Sequence, residues 1–142
     1  MSQADFEFPI KVYYEDTDAG GVVYHANYLK FMERARSEFL IHRGCSVVEC
    51  EQQFGVIFVV RHMDLEFMLP AKLGEELMVH LQVIKLGKVG VQMKQSIYNA
   101  EGLLICSALV KLAAISKTSQ DAFTLKPMPQ ALLNIFQNKA MY

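Results

Sequence analysis

The chain has 142 residues, is 52% apolar and 20% charged, and carries a formal charge of −1 at pH 7. That length fits one domain over 1–142 with a substantial core, and the composition excludes a disordered chain. No basic excess supports a nucleic-acid partner. Cys45, Cys50 and Cys106 show no paired metal-site spacing and read as reduced thiols of a cytoplasmic protein. The first eight residues do not read as a secretory signal, and no apolar run approaches the ~20 residues of a membrane span.

Taken in order, Ile10, Val12 and Tyr14 alternate with Lys11 and Tyr13, which predicts a first strand with one buried face. A polar loop, Asp16–His25, follows, with Gly20 and Gly21 giving the backbone room to turn. Tyr28, Phe31, Met32, Ala35, Phe39 and His42 then recur at steps of three and four. Lys30, Glu33, Arg34, Ser37 and Glu38 fill the other face. This predicts an amphipathic helix from about Ala26 to Arg43, with Asn27 as N-cap and Gly44 as its stop. At 1.5 Å per residue it is about 27 Å long. It is the one long helix in the pattern, so a sheet is expected to wrap it.

Ser46–Phe54 reads as a short second helix ended by Gly55. Val56–Val60 is a β-rich run that Arg61–Phe67 either continues or follows as a separate strand. Pro70 and Gly74 break the chain. Glu76–Lys85 and Val89–Tyr98 alternate as strands about a turn at Leu86–Lys88, and Asn99–Gly102 is a hairpin loop. Leu103–Ile115 is the most apolar strand and is expected at the sheet centre. Ser116–Gln120 reads as a polar turn. Gln130–Asn138 reads as a terminal helix docking through Leu132, Leu133 and Phe136. No βαβ alternation is present, so the class is α+β with an antiparallel sheet.

The chemistry concentrates where the loop meets the long helix. Asp16, Asp18 and His25 lie beside a helix N-terminus, whose free N–H groups favour negative charge. A carboxylate there can act on a carbonyl whose oxygen those N–H groups stabilise as it becomes negative. That suits acyl transfer or hydrolysis. The same three side chains also leave open a metal site of oxygen and imidazole ligands, although no further ligand is evident. An Asp18 that only binds loop N–H groups is the plain structural alternative.

The stretch Tyr13-Tyr14-Glu15-Asp16-Thr17-Asp18-Ala19-Gly20-Gly21-Val22-Val23-Tyr24-His25-Ala26-Asn27-Tyr28, with Phe31-Met32-Glu33-Arg34-Ala35-Arg36-Ser37-Glu38, resembles the 4-hydroxybenzoyl-CoA thioesterase class of hotdog-fold enzymes. It is most similar to the bacterial acyl-CoA thioesterases associated with the Tol–Pal gene cluster. Phe58–Arg61, Pro70–Leu73 and Lys126-Pro127 extend the resemblance. It implies a five- or six-stranded antiparallel sheet around one long helix, and a homodimer often paired into a tetramer. It implies hydrolysis of acyl-CoA, or of acyl-acyl carrier protein, without metal or prosthetic group. By the same resemblance Asp18 is the catalytic carboxylate, and the N–H that polarises the thioester falls near His25. Ser37 stands where close relatives often have Thr. Envelope and phospholipid metabolism, with phospholipid-synthesis enzymes as partners, follows from the same source, as does a position peripheral to the inner membrane.

Asp18 then serves as nucleophile or general base, and the residues leave both open. His25 contributes its imidazole or only its backbone N–H. Gly21, Val22, Val23, Tyr24 and Tyr28 are the expected substrate-binding stretch. Arg61, Lys72, Lys85 and Lys88 are available for the phosphates of coenzyme A, with Arg61 and Lys88 preferred. The cysteines lack an activating base. The methionines, Met63, Met68, Met78 and Met93 among them, suit adaptable packing or the wall of an acyl tunnel. A non-catalytic acyl or acyl carrier protein binding scaffold is the rival reading. A hotdog dehydratase would need a buried acid–imidazole pair on the helix, and none is seen.

Overall fold

The computed structural model of the chain describes residues 4–119 and 122–137. Among them six strands form one sheet: β1 (Phe6–Lys11), β2 (Ile57–Phe67), β3 (Glu76–Leu86), β4 (Gly90–Asn99), β5 (Leu104–Ser119) and β6 (Ala122–Leu125). Their order is β1-β3-β4-β5-β2, with β6 paired to β5. Among the described residues three α-helices accompany them: α1 (Asn27–His42), α2 (Val47–Phe54) and α3 (Gln130–Gln137). The expected class, antiparallel α+β with one long helix, is the observed one. Leu104–Ser119 lies next to β2 rather than at the centre, which β4 occupies.

The apolar period of α1 is read correctly at Tyr28, Phe31, Met32, Ala35 and Phe39, all buried. His42, placed on the same face from sequence, is exposed because the stripe shifts to Leu40 in the last turn. Gly44 ends the helix at φ 89°. The N–H of Cys45 reaches back to the Leu40 carbonyl (3.0 Å) and that of Gly44 to Ile41 (3.0 Å), which satisfies carbonyls the helix would otherwise leave open. Asn27 is not the N-cap. It is the first helical residue, and its side chain is engaged elsewhere.

The residues group into two compact units: up to Arg36 with Asp64–Gln82 and Lys94–Leu109, and Ser37–Met63 with Val83–Met93 and the chain from Val110. In the first, β1 pairs antiparallel with β3, Phe6 opposite Leu81 and Lys11 opposite Glu76. The strand expected over Ile10–Tyr14 therefore lies earlier. It stops because the Asp16 carboxylate takes the Tyr13 N–H at 2.8 Å, turning Tyr14–Asp16 into a 3-10 turn. Gln95, fully buried, joins α1 to β4. It donates to the Met32 carbonyl (2.9 Å) and accepts from Arg36 (2.9 Å), so its polar atoms are satisfied inside the core.

In the second unit, Ser46 caps α2, accepting the Glu49 N–H (3.1 Å) while the Glu49 carboxylate accepts the Ser46 N–H (2.9 Å). Those bonds hold the Glu49 carboxyl below its ordinary range. Gly55 ends the helix at φ 66°. Leu132 and Phe136 dock α3 as expected, while Leu133 is only half-buried; Phe136 packs edge-on against Phe58 (5.5 Å) and tilted against Phe39 (6.2 Å). Arg43 donates to the Ile135 carbonyl (2.6 Å) while its guanidinium lies 4.6 Å over the Phe39 ring. The polar stretch expected to turn at Ser116–Gln120 instead continues β5 to Ser119. Thr124 pairs opposite Ser116, and the two hydroxyls lie 3.2 Å apart. Gln120 and Asn138 lie outside the described residues.

Candidate active site

The loop of Asp16–His25 is built by its own backbone. The N–H of Asp18 bonds the Val22 carbonyl (2.9 Å), and that of Gly21 bonds the Asp18 carbonyl (3.0 Å). Gly21 sits at φ 80°, a conformation that costs a side-chain-bearing residue energy. The Asp18 carboxylate is exposed and accepts one bond, from the Gly20 N–H at 2.8 Å through Oδ1. The residues after the turn pair with the chain before β3. Val22 bridges Lys72, Thr17 bridges Val23, and the Val23 N–H donates to Ala71 (2.8 Å).

At the helix start the N–H groups divide into used and unused. Tyr24 donates to the Asp16 carbonyl (3.0 Å) and Asn27 to the Tyr24 carbonyl (2.8 Å). The N–H groups of His25 and Ala26 have no partner among the described residues. An unpaired N–H at a helix N-terminus is a ready donor for developing negative charge.

His25 also lines a cavity of about 260 Å³ with Val23, Tyr28, Phe67, Met68, Leu69 and Pro70. Three rings meet there: His25 and Phe67 edge-on (6.2 Å), and Tyr28 tilted against Phe67 (5.9 Å). The Tyr28 hydroxyl accepts the Ala71 N–H (3.0 Å), and burial pushes its pKa up, so it stays a neutral phenol. Of the expected substrate-binding stretch, Val23 and Tyr28 reach this cavity. Gly21, Val22 and Tyr24 do not line it, and neither does Asp18. Tyr24 is half exposed, with its ring 4.6 Å from that of His25. Met68, one of the methionines offered for the wall of an acyl tunnel, does line this cavity, whereas Phe67 and Leu69 carry no local mark of a site 40 residues earlier in the chain.

Arg61 and Lys88 belong to the second unit and share a cavity of about 170 Å³ with Lys85 and Lys111. Lys111 was not foreseen, although it is the single charge in the apolar run Leu103–Ile115. Lys72, also considered, is not with them; it holds the Val22 bridge. The turn that carries Lys88 is fixed on both sides. The Lys88 carbonyl accepts the Met128 N–H (2.8 Å), and the Val89 carbonyl accepts the Ala114 N–H (2.9 Å). Among the described residues no three His, Cys, Asp or Glu side chains converge, so Asp16, Asp18 and His25 are not gathered as a metal-ligand set. No described helix is long and apolar enough to cross a membrane.

The sequence pattern of the thioesterase superfamily matches residues 20–106. The chain belongs to the thioesterase superfamily. It is 37% identical over 139 residues to the acyl-CoA thioester hydrolase YbgC of Escherichia coli O6:H1, covering 96% of this chain and 99% of that one. With the acyl-CoA thioesterase YbgC of Haemophilus influenzae it shares 39% over 128 residues, 90% of each chain. The fold matches that of 4-hydroxybenzoyl CoA thioesterase from Pseudomonas sp. strain CBS-3 with a TM-score of 0.83, over 92% of this chain and 97% of that one at 13% identity. This thioesterase therefore has the hotdog fold, and its sheet and long helix are those that the sequence resemblance implied.

Proposed function

We propose that this thioesterase hydrolyses acyl-CoA to free acid and thiol, with Asp18 as the catalytic carboxylate. The observation that carries the reading is the loop itself, which presents an exposed carboxylate and, seven residues on, an unpaired His25 N–H at the start of α1. The names of the YbgC relatives supply the acyl-CoA substrate. Asp18 attacks the thioester carbonyl to give a mixed anhydride that water cleaves, or takes a proton from water as it adds. In both routes the C–S bond breaks, thiolate leaves, and the His25 N–H stabilises the oxygen that becomes negative.

In this reading the acyl group enters the cavity of Val23, His25, Tyr28 and Phe67, flanked by Gly21, Val22 and Tyr24, with the His25 imidazole at its rim. The phosphates of coenzyme A take the cations Arg61 and Lys88, joined by Lys85 and Lys111. The reaction needs no metal or prosthetic group. The working form is a homodimer, or a pair of dimers. The support is β2, which ends the strand order yet buries none of Ile57, Phe58, Val59, Val60, Met63, Leu65 or Phe67. The reading places the protein in the cytoplasm, near the inner membrane, with acyl carrier protein and phospholipid-synthesis enzymes as further partners.

Thiol release from short, long and aromatic acyl-CoAs tests it. Wild type turns over at least one class, and Asp18→Asn loses about 10²–10⁴ in kcat with its fold intact, the usual contribution of a positioned acid or base. Equal activity in both proteins would overturn the role of Asp18. No activity in either leaves an acyl or acyl carrier protein binding scaffold as the reading to pursue.

A further inference from the structure

Two adjacent side chains in the first turn of α1 spend their polar atoms on backbone groups and hold the Asp18 loop at both ends. Asn27 donates through Nδ2 to the Asp16 carbonyl at 2.9 Å. That carbonyl also receives the Tyr24 N–H at 3.0 Å, so one oxygen joins the loop's entry to the helix start. Tyr28 holds the exit. Its hydroxyl accepts the Ala71 N–H at 3.0 Å, and the Ala71 carbonyl accepts the Val23 N–H at 2.8 Å. Between these anchors the loop closes on itself through the Asp18 N–H to Val22 and the Gly21 N–H to Asp18.

We propose that Asn27 and Tyr28 are positioning residues that clasp the loop at Asp16 and, through Ala71, at Val23, and so fix the Asp18 carboxylate relative to the free N–H of His25. The inference rests on the catalytic reading of Asp18 and concerns the Asn27 amide and the Tyr28 hydroxyl, which are spent on the backbone, whereas the Tyr28 ring lines the acyl cavity. The geometry favours this over a plain core role for either residue. Asn27 is only partly buried, yet its amide is spent on a carbonyl 11 residues away rather than on capping its own helix. Tyr28 is 3% exposed, and its hydroxyl accepts a main-chain N–H that no ladder partner takes. The Asp18 carboxylate itself accepts one bond among the described residues, from the Gly20 N–H two residues on, so its placement depends on the backbone that carries it. Displacement of a reacting group by about 1 Å is enough to cost up to ~10²-fold in rate. A supporting set of hydrogen bonds of this kind is what holds such a group within that tolerance.

The test compares Asn27→Ala, Tyr28→Phe and the double variant with wild type and Asp18→Asn. It uses an acyl-CoA that wild type hydrolyses, with amide hydrogen exchange alongside. Each single variant is expected to lower kcat about 10- to 100-fold while KM stays within about twofold. Exchange is expected to rise at the Asp18 and Tyr24 amides in Asn27→Ala and at Val23 in Tyr28→Phe, with the α1 interior still protected. Asn27→Gln, which keeps the donor, recovers part of the loss. Unchanged kcat with a lower Tm would make both residues structural only and overturn the inference. So would an equal rise in exchange along all of α1. A substrate contact made by the Asn27 amide or the Tyr28 hydroxyl would instead show as a rise in KM with kcat kept, which also overturns it. If Asp18→Asn is fully active, the failure lies with the catalytic reading, because the clasp then has no catalytic group to hold.

Discussion

Cys106 and Cys50 are fully buried thiols with no base beside them. Burial pushes the Cys106 pKa up to about 12, and burial with the Cys45 contact does the same for Cys50. Reactivity needs thiolate, so both are poor nucleophiles at neutral pH. Cys45 and Cys50 nevertheless touch, with their sulfurs 3.3 Å apart. Folding prefers the protonated thiol at these positions. The stabilisation is complete below the unfolded thiol pKa, near 9, and is lost as pH rises toward 12. Tyr28, raised by burial from 10, acts in the same direction. Native protein is therefore expected to resist iodoacetamide at pH 8 and to take three alkyl groups once unfolded in urea. Its Tm is expected to fall from pH 9 upward, with a shallower slope in Cys106→Ala. Rapid alkylation of folded protein at Cys50 or Cys106 would contradict the burial argument. The sequence marked these cysteines as inert from the lack of a neighbouring base. Asn27 was misread as a cap because its true partner, Asp16, is supplied by tertiary closure of the loop.

Among the elements, what was legible had a local cause. The period of α1, the stops at Gly44 and Gly55 and the hairpin at Asn99–Gly102 all depend on residues within a few positions of one another. The hairpin shows this directly: the Asn99 side chain accepts the N–H groups of Glu101 (3.0 Å) and Leu103 (2.9 Å), and Gly102 takes φ 82°. The start of β1 and the whole of β6 were not legible, since each is defined by a partner strand and neither has a strong pattern of its own. Two glycines separate steric from torsional need. A Cβ on Gly90 would sit 2.8 Å from the Leu112 carbonyl, a backbone atom of β5 that cannot swing away. A Cβ on Gly74 meets nothing within 4 Å, but φ is +87°. Gly90→Ala is expected to cost about 1–3 kcal/mol through overpacking. Gly74→Ala is expected to cost about 1–2 kcal/mol through the left-handed backbone alone. Urea midpoints measure both. Gly90→Ala should also weaken protection of the Ala114 amide, which bonds Val89, while Gly74→Ala leaves it intact. Equal protection in the two variants would mean that the close approach at Gly90 relaxes without disturbing β5.

In the whole molecule, β2 ends the strand order. An exposed edge strand invites pairing with another chain, and proteins that stay monomeric blunt such edges with charge, proline or short length. This strand is 11 residues long and contains no proline. Arg61, Asp64 and Glu66 supply charge, but Val59, Val60 and Phe67 are 39%, 46% and 51% exposed. Apolar surface of that kind, on an edge strand, fits a second copy of the same strand in a two-fold arrangement, where residue i of one copy meets residue j of the other and j meets i. A charge placed at Val60 would then be buried without a partner in both copies. Wild type is expected to sediment as a dimer at micromolar concentration. Val60→Glu is expected to raise the dimer dissociation constant at least ~10-fold, about 1.4 kcal/mol. Activity should fall in step with the dimer fraction and recover as protein concentration is raised. A fully active monomer would show that β2 is tolerated as a free edge and that one chain carries a complete site. A dimer indifferent to Val60→Glu would move the interface to another surface. The proportionality between activity and dimer fraction therefore decides whether the catalytic loop works alone.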